Sequence, residues 1–433
     1  MSASNFSITE HTIPAGHIRE YAGSTANNQE EVLHLHVKQY TPLEKSTLLS
    51  SNGVTIIAAH GVGLAKELYE PLWDELLQRS KESKSLHIRS IWIADMVNMG
   101  MSGILNEDKL STDCSWMDFS RDLLLMVNHF RDQMPRPIVG LGHSFGGTII
   151  TNLAYMHPRL FNTTLLLDPV IQLNPPPMGF GSGPPSPINY TLYRPDVWPN
   201  RKAAIAAYAK MFPAMDSRCV ERMAKYGFRD LPTALHPDLP EGSNISDPPV
   251  TLATSKYQDM LGSIRENFSA RAPDGSIQIN RTTHADIDPL AAFVPMYRPE
   301  PRSTFYKLPS LRPSVLWVLG EKSYMRIDEN RQGIKTCGEG VGGSGGVAHG
   351  KVKEVILSKA GHLFPFEDVA ETAEQCFSWL EQEMAKFIET ERDWIEKREA
   401  MSKRDHLVLS EKWFQTIKPI SAFRAPRPKK EKL

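Results

Sequence analysis

Short apolar runs separated by amphipathic stretches set the rhythm of this chain. Residues 33–40 (LHLHVKQY) alternate apolar and polar positions, the period of a half-buried strand. Residues 54–59 (VTIIAA) form a continuous apolar run ending at His60-Gly61, the pattern of a strand buried on both faces. Similar runs recur at 88–95 (IRSIWIAD), 138–142 (IVGLG), 163–168 (TTLLLD), 313–319 (PSVLWVL) and 352–357 (VKEVIL). Helical spacing occupies 67–79, 116–132, 145–157 and 366–391. Strands alternating with helices predict an α/β architecture with a mostly parallel central sheet and right-handed crossovers. In such sheets the site lies at the carboxyl ends of the strands.

The rhythm breaks between 171 and 310. This segment opens with NPPPMGFGSGPPSP, where prolines and glycines disfavour helix and central strand, and helical patterns follow at 200–227 and 247–270. It reads as a long helical lid inserted after the strand ending at Asp168. The expected organisation is a core formed by 1–170 and 311–390, a lid at 171–310, and a helical extension and tail at 391–433. The glycine cluster 338–350 (GEGVGGSGGVAHG) reads as a flexible connector. It lacks the Gly-Lys-Ser/Thr ending and following helix of a phosphate-cradling loop.

At 433 residues, 41% apolar and 23% charged, the chain has the size and composition of a soluble globular protein with a large core. Its net charge of −1 gives no global field favouring nucleic acid or an anionic membrane. Cys114, Cys219, Cys337 and Cys376 are far apart and form no CxxC pair, which argues against a zinc site or a disulfide scaffold and fits a reducing compartment. No leader-like segment and no transmembrane run is visible, so an intracellular location is expected. No cofactor or metal motif stands out.

The most informative residues are Gly142-His143-Ser144-Phe145-Gly146, set between an apolar strand and a helical pattern. A Gly-x-Ser-x-Gly turn there lifts a serine hydroxyl above the sheet and brings the N–H of the next residue beside it. Such a nucleophile needs a base, a carboxylate to orient the base, and oxyanion donors. His362, just after the last strand, is the base candidate and follows in the chain order serine, acid, histidine. The acid has three candidates. Ser323 stands where a carboxylate would be expected after the next-to-last strand, with Glu321 and Asp328 nearby but off that spacing. Asp168 closes the strand after the elbow and is favoured over both. The turn His60-Gly61-Val62-Gly63 would supply the Val62 N–H to an oxyanion hole completed by Phe145 N–H. His60 reads as shaping that turn, and Asp95 and Ser102 as shaping the loop after the third strand.

On ITEHTIPAGHIREY, KELYEPLWDEL, IRSIWIADM, LNEDKL, MPRPIVGLGHSFGG and HPRLFNTTLLLDPVIQ, the chain resembles the fungal peroxisomal α/β-hydrolases of secondary metabolism. That group holds the mycophenolic acid acyl-CoA hydrolase and the Alternaria toxin-pathway hydrolases, with the yeast peroxisomal lipase more distant. The resemblance implies an α/β-hydrolase fold and a triad on Ser144, Asp168 and His362. It also implies hydrolysis of acyl-CoA thioesters or related esters, and is compatible with a homodimer. A lipase or carboxylesterase using the same triad is the alternative, and a non-catalytic binding protein is a third reading. The chain's last residues, Glu431-Lys432-Leu433, match a peroxisomal import-receptor signal at Lys432 and Leu433 but not at Glu431. Peroxisomal location is therefore the expectation and cytoplasm its alternative.

Overall fold

Each run of the central strands alternates between two buried faces. Ile57, Ala59, Trp92, Leu166 and Trp317 join one apolar cluster with Phe119, Phe145 and Ile149 of the helices that cover it. Their neighbours Ile56, Ala58, Ile91, Leu165 and Val318 point to the opposite side and are equally buried. Continuous apolar runs are what a sheet covered on both faces requires.

The computed structural model describes residues 2–44, 53–83, 85–174, 187–268, 272–289 and 296–420. Its central sheet has eight strands: β1 (Phe6–Pro14), β2 (His34–Pro42), β3 (Gly53–Ala59), β4 (His87–Ala94), β5 (Ile138–His143), β6 (Thr163–Leu167), β7 (Ser314–Gly320) and β8 (Val352–Leu357). They lie in the order β1-β2-β4-β3-β5-β6-β7-β8. Only β1–β2 and β2–β4 pair antiparallel; the rest run parallel. Strand β1 was not marked by the sequence reading, because its alternation FSITEHTIP is half exposed at a sheet edge.

Helices α1 (Glu70–Glu82), α2 (Trp116–His129) and α3 (Phe145–Met156) supply the crossovers. Ser115 caps α2 by accepting from the Met117 N–H, which satisfies one orphan donor of the first turn. On the face that α1 shares, where Arg79 donates to Glu374 and to the Ala370 carbonyl, the long helix Val369–Glu399 is fastened to the sheet by Trp379 Nε1 donating to Thr163 Oγ1 at 2.8 Å. The Ser314 hydroxyl donates to Glu383 at 2.6 Å from the same side.

The segment between β6 and β7 departs from its expected long helical stretches. Its pieces include the helices Pro187–Tyr193, Arg201–Met211, Ser217–Tyr226 and Lys256–Ser263. A small antiparallel sheet joins Val197–Trp198, Val250–Leu252 and Phe228–Asp230. The glycine cluster also differs from a flexible connector. Gly338 and Gly340 donate to the carbonyls of Leu308 and Pro309, Ser344 to that of Leu311, and Gly345 back to Gly338. Gly338, Gly342, Gly345, Gly346 and Gly350 all have positive φ, so the glycines serve tight turns.

The chain divides into two compact units, Met1–Met384 and Ala385–Leu433. The second carries the end of the long helix and a further helix, Glu411–Ile420. The residues Glu431-Lys432-Leu433, on which the import signal rests, lie outside the described residues, as does most of the proline-glycine stretch at 175–186. No helix among the described residues is long and apolar enough to cross a membrane.

Candidate active site

Ser144 sits at the junction of β5 and α3 with φ +56° and ψ −122°, a backbone conformation that a non-glycine residue adopts only under constraint. The constraint is visible. Its N–H donates to Leu167 at 2.9 Å, and its carbonyl accepts from Gly147 and Val170 at 3.0 Å each. The flanking glycines are required by proximity: a Cβ on Gly146 would lie 2.1 Å from the Ala59 carbonyl oxygen, and one on Gly142 2.3 Å from that of Gly146.

The three residues selected from the sequence meet here. His362 follows β8, and its Nε2 lies 2.8 Å from Ser144 Oγ. Its Nδ1 lies 2.5 Å from Asp168 Oδ2. Asp168 immediately follows β6 with φ +43° and is pinned by its N–H donating to the Val318 carbonyl at 2.8 Å. Its carboxylate also accepts from the Ser323 hydroxyl and, at 3.4 Å, from the Gly320 N–H. Neither rival acid reaches the histidine. Glu321 accepts from the Lys359 N–H at 3.1 Å, and Asp328 lies in the first turn of the helix Ile327–Thr336. Ser323, which stands in the vacant acid position, donates to the acid that replaces it.

The turn His60–Gly63, the candidate oxyanion turn, is built on His60. Its Nδ1–H donates to the Gly61 carbonyl at 2.8 Å, while its Nε2 accepts from the Met96 N–H at 3.1 Å. Both contacts suit a neutral ring, and full burial lowers the pKa of His60. Its expected shaping role has this geometry. Asp95 and Ser102 hold the neighbouring loop: Asp95 pairs with the buried Lys66 at 2.5 Å, and Ser102 accepts from the His36 N–H at 2.8 Å. Among the described residues the Val62 N–H makes no hydrogen bond. The Phe145 N–H lies at the start of α3, where N–H groups have no helical carbonyl to meet.

Tyr69 and His143 carry no signal in the sequence, and they link the His60–Gly63 turn to the loop bearing His362. The Gly61 N–H donates to the Tyr69 oxygen at 2.8 Å, so the Tyr69 hydroxyl proton is free to reach His143 Nδ1 at 2.7 Å. His143 Nε2–H then donates to the His362 carbonyl at 3.0 Å. This tautomer assignment needs a neutral imidazole, and burial holds the His143 pKa down at about 3, with His362 adding to the effect. One chain of hydrogen bonds thus joins the oxyanion turn to the loop bearing His362. The aromatic ring of Tyr324 packs against His362 with centroids 4.6 Å apart.

The Alpha/beta hydrolase family model matches residues 56–375. The chain is 56% identical to the type I acyl-CoA thioesterase mpaH of Penicillium roqueforti and 57% identical to mpaH' of Penicillium brevicompactum, in both cases over all of each chain. An abhydrolase domain-containing protein of Alternaria alternata, AKT2, is 27% identical, covering 58% of this chain and 85% of its own. Among solved structures, the peroxisomal α/β-hydrolase Lpx1 of Saccharomyces cerevisiae superposes with a TM-score of 0.63 at 16% identity, covering 92% of this chain and 99% of its own, a likeness of fold. Family match, sheet order and full-length kinship agree: this chain belongs to the α/β-hydrolase family and is a hydrolase.

Proposed function

We propose that the protein hydrolyses acyl-CoA thioesters through an acyl-enzyme on Ser144. The observation that carries this reading is the continuous hydrogen-bonded line Ser144–His362–Asp168 in a chain akin over its full length to acyl-CoA thioesterases. His362 Nε2 takes the Ser144 proton as Oγ attacks the thioester carbonyl carbon. The developing oxyanion is met by the Val62 and Phe145 N–H groups, each donor being worth about 3–4 kcal/mol in the transition state. The tetrahedral intermediate collapses, the carbon–sulfur bond breaks, and His362 returns the proton to the coenzyme A sulfur. Water then attacks the acyl-Ser144 ester with His362 again as base, releasing the carboxylic acid and restoring the serine. Asp168 keeps the His362 Nδ1 proton in place and offsets the imidazolium charge.

The test is thiol release from a panel of acyl-CoAs, beside turnover of p-nitrophenyl and glyceryl esters of the same acids. Release of coenzyme A at a kcat/KM well above that for the oxygen esters supports the reading. Turnover of the oxygen esters with acyl-CoAs untouched would assign the site to a lipase or carboxylesterase.

A further inference from the structure

Two loops meet at the candidate oxyanion turn, one after β3 and one after β4, and a fully buried ion pair joins them. Lys66 opens the short 3₁₀ helix Lys66–Tyr69, which leads from the turn His60–Gly63 into α1. Its Nζ lies 2.5 Å from Asp95 Oδ2, at the start of the loop after β4, and 3.0 Å from Glu67 Oε1. Lys66 and Asp95 are both fully buried. The helix is thus tied at both ends, by Lys66 to Asp95 and by the Tyr69 oxygen to the Gly61 N–H.

The loop after β4 touches the turn on either side of Val62. The Met96 N–H donates to His60 Nε2 at 3.1 Å, and the Gly63 N–H donates to Met99 Sδ at 3.4 Å. A thioether is a weak acceptor, so these contacts need a loop that is held by something else. Asp95 holds it. Its Oδ2 also accepts from the Met101 N–H at 3.0 Å, and a Cβ on Gly100, at φ +52°, would lie 2.6 Å from the carboxylate. Burial lowers the Lys66 pKa, but Asp95 and Glu67 outweigh it and leave it raised, so Lys66 stays charged. Stability does not account for such a pair. Desolvation offsets most of the attraction between two buried charges, and apolar side chains of the same volume often stabilise as well. What apolar side chains lack is a contact that fixes the distance between the two loops.

We infer that Lys66 and Asp95 are positioning residues for the reaction: their ion pair holds the loop 95–101 against the turn His60–Gly63 and keeps the Val62 N–H aimed at the developing oxyanion. The inference rests on the acyl-enzyme reading above, in which Val62 is a donor, and deepens it. An oxyanion donor is engaged in the transition state more than in the bound substrate, so the pair governs kcat and leaves KM nearly alone. Losing such a donor outright costs about 10²–10³-fold in kcat, and misaiming it costs part of that.

The experiment uses two full-length variants and a control. Lys66→Met/Asp95→Asn removes both charges together and keeps an amide oxygen for the Met101 N–H. Asp95→Asn alone is an isosteric break that leaves Lys66 paired with Glu67. The control, Arg19→Met/Asp122→Asn, removes another buried pair, with Arg19 Nη1 2.8 Å from Asp122 Oδ1, that makes no contact with the turn. Thiol release gives kcat and KM, and urea unfolding gives stability. A trifluoromethyl ketone carrying the same acyl chain adds to Ser144 as a tetrahedral oxyanion, so its affinity reports on the oxyanion donors themselves. Both Lys66/Asp95 variants should lose at least tenfold in kcat and tenfold in affinity for the ketone, with KM within threefold of the parent. The control should keep all three values within threefold, whatever stability it loses. A smaller fall in kcat in either folded variant, an equal fall in the control, or unchanged affinity for the ketone would overturn the assignment. A parent that releases no thiol but cleaves p-nitrophenyl esters would instead remove the thioesterase reading. The same comparison then decides the role of the pair on those esters, because the donor serves either carbonyl.

Discussion

Replacing Tyr69 by Phe removes one oxygen atom and leaves the ring to pack on Phe366, 4.8 Å away, and on Trp73, 5.9 Å away. That oxygen accepts from Gly61 N–H and donates to His143 Nδ1. Tyr69, Gly61 and His143 are all buried, so bulk water does not take over either bond. A buried polar group left unpaired costs about 1–3 kcal/mol, which places the loss of stability at roughly 2–6 kcal/mol for the two. The catalytic consequence follows from position. Gly61 adjoins the Val62 donor, and His143 holds the carbonyl of His362. Loss of a single oxyanion donor lowers kcat by about 10²–10³-fold, and a displaced donor should cost part of that, about 10–100-fold. Tyr69 is not proposed to touch the substrate, so KM should change little. The assay is steady-state thiol release by Tyr69→Phe, with urea unfolding run on the same protein. A folded Tyr69→Phe enzyme with kcat within twofold of the parent would refute the reasoning that the hydrogen-bonded chain positions the catalytic loops.

Other outcomes follow from the same geometry. The side chain at 323 reaches the Asp168 carboxylate, so a carboxylate placed there should stand near His362. Asp168→Asn is expected to lower kcat by about 10⁴-fold, and the double variant Asp168→Asn/Ser323→Asp should recover at least tenfold of that loss. No recovery in a folded double variant would count against the two positions sharing one histidine. Acid should destabilise the fold through His143. Its folded pKa of about 3 lies below the ordinary value of 6.5, so between these pH values the unfolded chain binds the extra proton. Stability is then complete above about pH 6.5 and falls as pH drops toward 3, by a few kcal/mol. Urea midpoints measured from pH 7.5 to 4.5 should fall less steeply in His143→Gln than in the parent, and equal slopes would contradict this.

Much of this arrangement was legible because its signals are local in sequence. A strand buried on both faces must be continuously apolar, and the elbow needs glycines where the backbones crowd, so β3, β5, β6 and the turn at Ser144 could be read directly. Asp168 was found because it closes a strand beside the elbow while Ser323 occupies the alternative acid position. The parts that were missed depend on partners far apart in the chain. Tyr69 and His143 are separated by 74 positions, and His143 and the His362 carbonyl by 219. No periodicity encodes such contacts, and the His143 in Gly-His-Ser-Phe-Gly reads simply as a filler position. The glycine cluster at 338–350 misled for a different reason. Positive-φ turns and flexible connectors demand the same residue, and only the hydrogen bonds to 308–311 tell them apart. The segment between β6 and β7 breaks the rhythm of the sequence, and its two- and three-residue strands are too short to show a period.

The central claim is hydrolysis of acyl-CoA by Ser144, His362 and Asp168 acting together. It is tested most directly by kcat for thiol release from one good acyl-CoA substrate, measured for the parent, Ser144→Ala, Asp168→Asn and Glu321→Gln, with folding of each checked by circular dichroism. The account predicts that Ser144→Ala and Asp168→Asn each lose at least three orders of magnitude while Glu321→Gln stays within threefold of the parent. Full thiol release by folded Ser144→Ala, or a collapse in Glu321→Gln with Asp168→Asn active, would contradict it.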